Sequence, residues 1–133
     1  SHPQIMDDFS WLAVLIGAIA FYFLGAAWYS FLFRKPWLSD MGIDPNVDRQ
    51  APMGSMLLAS GVSAVVVAGV IEFIVRDAGV GFGLCRGAMV GAAMAAAIGQ
   101  CAFYDTRPRR LGLINGAYPL VGAILVGAIA GAL

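Results

Sequence analysis

Between Gly79 and Phe103 a small residue recurs at every fourth position of a largely apolar run: Gly79, Gly83, Gly87, Gly91, Ala95 and Gly99. On an α-helix that step lines one ridge with almost no side chain. In water such a helix is poor, since each Gly costs about 1 kcal/mol relative to Ala. In a bilayer the balance reverses. The backbone must satisfy its own hydrogen bonds there, and a bare ridge lets a neighbouring helix approach closely enough for dispersion to hold the pair. The ridge therefore predicts a packing surface within lipid. Each four-residue step also rotates the ridge by about 40°, so one straight partner is not expected to follow it from end to end. The drift divides the ridge between a helix of the same chain and a helix of a second chain or another subunit, with wholly internal packing as the alternative.

Hydropathy along the remaining sequence agrees with a membrane setting. Of the 133 residues, 60% are hydrophobic, and no polar segment is long enough to bury a core of its own. The apolar runs 9–33, 53–75, 80–103 and 111–133 each reach the roughly 20 residues a bilayer requires. Phe9 and Trp11 mark one end of the first run, and Trp28, Tyr29, Phe31, Phe33 and Trp37 the other, as interfacial aromatics do. Arg76 to Gly79 form a tight connection that turns the second helix back into the third, and Tyr104 to Arg110 form a compact basic turn before the fourth. The expected fold is a single all-α membrane domain, 1–133, with four transmembrane helices in an antiparallel up-down bundle.

The loops after the first and third runs hold Arg34, Lys35, Arg49, Arg107, Arg109 and Arg110, whereas the other extramembrane segments hold only Arg76. The positive-inside rule then places these two basic loops in the cytoplasm and both termini outside it.

Composition removes several function classes. Eight basic residues balance eight acidic ones, leaving no cationic surplus for nucleic acid. Cys85 and Cys101 share one run, roughly 24 Å apart on a continuous helix, and cannot bridge each other. The single histidine, His2, has no thiolate nearby, so neither a metal nor another cofactor is implied. Asp40, Asp44 and Asp48 recur at four-residue spacing, whereas a calcium loop needs acids at alternate positions, a Gly turn and a terminal Glu; they read as helix caps or a solvated face. No acid pair, Ser/His arrangement or His-based metal site lies within the runs, so no enzymatic activity is expected.

Polar residues within the runs are the candidate site. Glu72 and Arg86 lie at equal distances from the tight connection, so on antiparallel helices they reach the same depth. They are expected to pair, with snorkelling of Arg86 to the headgroups as the alternative, and such a pair also marks an ion, proton or anionic-ligand path. Gln100 and Asn115 flank the basic turn in the same way, with Tyr104 one turn from Gln100. Pro119 has no N–H for the Asn115 carbonyl, which predicts a kink beside Asn115 and Tyr118: either a bend satisfied by a neighbour or a small polar pocket at membrane depth.

The segments Trp11-Leu-Ala-Val-Leu-Ile, Leu24-Gly-Ala-Ala-Trp28-Tyr29-Ser30 and Phe33-Arg-Lys-Pro-Trp37, with Leu113-Ile-Asn115-Gly-Ala-Tyr118 and the small-residue run to Gly131, resemble the small bacterial membrane proteins grouped as domain of unknown function 1761. The resemblance covers nearly the whole chain. It implies four spans in a bacterial inner membrane and brings no activity with it.

Two roles follow as expectations. One is a packing or scaffold protein in the lipid bilayer, a homo-oligomer or an accessory subunit among other membrane subunits. The other is a small oligomeric transporter or channel for an ion, proton or solute, using Glu72, Arg86, Gln100, Asn115 and the bend at Pro119. Contact with lipid or pigment through Phe21-Tyr22-Phe23 and Trp28-Tyr29 stays open beside both.

Overall fold

A computed structural model describes residues 9–29, 39, 53–76, 78–104 and 109–133. Four helices follow one another, α1 Trp11–Ala27, α2 Met53–Val75, α3 Val80–Phe103 and α4 Arg109–Ala132. Among the described residues three helices are long and apolar enough to cross a membrane: α3, α4, and α2 over Leu57–Val75. Helix α1 is shorter at 17 residues. Residues 30–33 of the expected first span lie outside the described residues, as do Asp40, Asp44, Asp48, Asp77 and the Arg107-Pro108 turn.

Each end that can be followed has a chemical cause. Helix α1 starts at Ser10, whose side chain accepts from the Ala13 N–H at 3.0 Å and so satisfies one of the orphan donors of the first turn. Helix α2 stops at Arg76, which adopts a left-handed φ of 53° while its N–H still reaches the Glu72 carbonyl. Gly79 follows with φ 107° and ψ 155°, a conformation open in practice only to glycine, and launches α3. Inside α4, Pro119 is buried and the helix runs through it without a break.

The apolar core is made by three helices. Val14, Ala18 and Phe21 of α1 meet Ala64, Ala68, Ile71 and Val75 of α2 and Ala123, Val126 and Ala130 of α4. Gly17 sits where the three converge: a Cβ there would lie 3.1 Å from Val126 Cγ1 and 3.5 Å from Ala68 Cβ. Helix α3 adds no buried member to this cluster and reaches it through Val90, which is partly buried against it. It lies along α4 for most of its length and touches α2 only slightly.

The α3–α4 contact is the glycine ridge. Gly83, Gly87 and Gly91 are buried, and a Cβ on any of them would run into the α4 backbone at Gly127, Ala123 and Leu120. The Gly79 N–H donates to the Gly131 carbonyl at 3.1 Å, and Gly116 lies against Ala95. Residue numbers thus run in opposite senses along the two helices. The internal alternative applies to most of the ridge, since one partner follows it from Gly79 to Ala95 and only its last member, Gly99, departs. The physical reason is that α4 carries a ridge of similar pitch, Gly131, Gly127, Ala123 and Gly116, so the two rotate together. Beyond Ala95 the seam steps seven residues to Ala102, opposite Gly112, which rotates the contact line back by about 20°. Gly99 drops out of the seam, and a Cβ there would meet nothing within 4 Å.

Candidate functional site

Two polar joints hold α1 to its neighbours, one at each end. At its start, Ser10 Oγ caps the first turn, and the Ser10 N–H donates to Glu72 Oε1 at 3.0 Å. In a capping box the second bond comes from a Glu or Gln three residues into the same helix. That position is Ala13 here, and α2 supplies the carboxylate instead. Glu72 is 1% exposed, so its carboxyl group lies in the interior beside the positive end of the α1 dipole.

At the other end of α1 the Trp28 N–H is shared between the carbonyls of Leu24 and Gly25, and the chain passes into a π-turn at Trp28 and Tyr29. This swings two polar tips toward α4. Trp28 Nε1 donates to the Ile114 carbonyl at 3.0 Å, and Tyr29 OH donates to Asn115 Oδ1 at 2.9 Å. Tyr118 returns the contact, its hydroxyl donating to the Phe21 carbonyl at 3.3 Å. Its ring is 4.9 Å from Phe21 and 5.6 Å from Tyr29, in tilted and edge-on arrangements that suit the ring quadrupoles. Gly25 leaves room for it, since a Cβ there would lie 2.8 Å from the Tyr118 hydroxyl. Three interhelical bonds of this kind are together worth about 2–3 kcal/mol.

The polar residues singled out in the sequence are regrouped by these joints. Glu72 and Arg86 form no ion pair among the described residues: Glu72 faces the start of α1, and Arg86 Cζ lies 4.3 Å over the ring of Phe82 on its own helix. Helical side chains lean toward the N-terminus, so Arg86 reaches back toward the Arg76–Gly79 connection. The snorkelling alternative fits this geometry and the pairing does not. The expected pocket of Gln100, Tyr104, Asn115, Tyr118 and Pro119 is likewise divided. Asn115 and Tyr118 join α1 and Pro119 is buried, whereas Gln100 and Tyr104 are exposed, Tyr104 at 84%. Equal depth held for neither pair as contact, because depth leaves the rotation of each helix free.

Ser10, Trp28 and Tyr29 are the site residues that sequence reasoning missed. Ser10 directly precedes an apolar helical run, an N-cap signature. Trp28 and Tyr29 read as interfacial aromatics, but a buried indole N–H or phenol also has to find an acceptor.

Residues 12–131 match the model of the family described as Protein of unknown function (DUF1761). The chain belongs to this family. The match runs from the first turn of α1 to the last turn of α4; it takes in Glu72 but not Ser10 of the first joint, and all of the second, with Trp28, Tyr29, Asn115 and Tyr118, which stood within the segments carrying the resemblance. No curated protein and no solved structure matches the chain. Family membership and the apolar helices together indicate a membrane protein.

Proposed function

We propose that this family member is a multi-pass protein of the bacterial inner membrane, its four helices crossing as an antiparallel up-down bundle with both termini periplasmic and the basic loops cytoplasmic. Its role is that of a non-catalytic packing or scaffold subunit, joined to further copies of itself or to a larger membrane complex. The outer surface of α3 carries the reading. In its second half Ala92, Ala93, Ala96, Ala97, Gln100 and Cys101 are all exposed, whereas α1 and α2 expose mainly bulky side chains, such as Leu12, Ile19, Leu58, Val62 and Val66, with Ala26, Gly54, Ala59, Ser60 and Ser63 as the small exceptions. Small side chains and an amide suit close approach of another helix; bulky apolar ones suit acyl chains. The glycine seam does not serve this purpose, because α4 already fills it. Engagement of Glu72 and Asn115 in joints within the chain favours packing over a transport path.

The test is cross-linking in membranes. With Cys85 and Cys101 changed to Ala, Ala93→Cys or Ala97→Cys should give disulfide-linked products under mild oxidation, and Leu12→Cys should give none. A chain that runs as a monomer in mild detergent and yields no product from α3 ends the assembly reading.

A further inference from the structure

Gly99 leaves the seam between the Ala95–Gly116 and Ala102–Gly112 contacts, and a groove of about 470 Å³ runs beside it along α3 and α4. Its floor is backbone and small side chains, Ala95, Gly99, Gly112 and Gly116, and Leu120 closes its deep end. At the opposite end stand Phe103 and Arg109, the guanidinium carbon 4.8 Å over the ring centroid. The stacking holds a cation at the rim of an otherwise apolar slot. From Arg109 to Leu120 the α4 backbone rises roughly 16 Å, close to the ~15 Å of hydrocarbon in one leaflet. The turn that feeds this rim is cationic, with Arg107, Arg109 and Arg110 against Asp105.

We propose that this groove seats one acyl chain of an anionic phospholipid from the leaflet on the basic-turn side, with its phosphate against Arg109. Charge complementarity and length select this occupant. An apolar helix in the slot would offer the Arg109 cation no anion, and a zwitterionic lipid would bring its own cation to a rim that already has one. Arg109 orients the headgroup, and the missing side chain at Gly99 admits the chain. The inference rests on the membrane placement above and is independent of assembly.

Native mass spectrometry of the purified full chain tests it, with equimolar dioleoyl phosphatidylglycerol and dioleoyl phosphatidylcholine as probes. The wild type should retain phosphatidylglycerol about five- to tenfold over phosphatidylcholine, the range expected of one cation near a headgroup. Arg109→Gln should bring the ratio to near one, and Arg109→Lys should keep most of it. Gly99→Leu should lose both lipids at unchanged helix content. A wild type without preference, or a preference that survives R109Q, overturns the proposal; the Arg109 pair, at an exposed residue, decides it even if G99L does not fold. Release of the chain from membranes by alkaline carbonate would instead overturn the membrane reading.

Discussion

The buried carboxylate of Glu72 is tolerable because Oε1 takes the N–H of Ser10, a helix-start donor that has no partner within its own helix. Removing the acceptor strands that donor. Glu72→Ala should therefore lower stability by about 1–3 kcal/mol in detergent thermal melts followed by circular dichroism. Glu72→Gln keeps an oxygen in place and should cost less than half as much; equal losses would show that the charge, and not the bond, matters. The clasp at the far end of α1 permits a cleaner dissection. Tyr29→Phe and Asn115→Ala remove opposite halves of one 2.9 Å bond, so their effects should not add, and the coupling should be about 0.6–1.7 kcal/mol. Additive losses would mean that the bond contributes nothing beyond its parts.

Among helices, the seam predicts opposite outcomes for substitutions that look alike in the sequence. At Gly87 a new Cβ meets the Ala123 backbone, which cannot swing aside, and Gly87→Ala should cost about 1–3 kcal/mol. At Gly99 a Cβ meets nothing, so Gly99→Ala should be neutral or gain up to about 1 kcal/mol from helix propensity. Melting the two variants side by side checks both. This contrast also marks how far the sequence could be read. The four-residue step identified the ridge as a packing surface, and the apolar runs placed α2 and α3 to within a residue of their bounds. That α4 alone fills the ridge as far as Ala95 stayed one of two open alternatives, because it depends on α4 carrying a ridge that rotates at the same rate. Connection lengths likewise gave an expected depth for Glu72, Arg86, Gln100 and Asn115. They could not give azimuth, which is set by the ridge each helix presents to its neighbour, and both expected pairings failed on that point.

Across the whole molecule, α4 is the element the others share. It presents Gly83-facing small residues to α3 and Gly122, Val126 and Ala130 to the core, while Tyr118 reaches into α1. Helix α3 is attached through α4 and a short connection, so the position of that connection relative to the membrane fixes the sidedness of the α3–α4 pair. The proposed orientation puts Ala78, beside Arg76, on the periplasmic face and Arg110 on the cytoplasmic face. Both residues are exposed in the structure. In a chain with Cys85 and Cys101 changed to Ala, Ala78→Cys should react with an impermeant maleimide in intact spheroplasts. At the other end Arg110→Cys should react only after permeabilisation, and because it removes a single charge from a turn that keeps Arg107 and Arg109, the topology should hold. The reverse pattern of labelling would place the basic turn outside, against the charge asymmetry, and would move the Arg109 end of the α3–α4 groove to the outer leaflet.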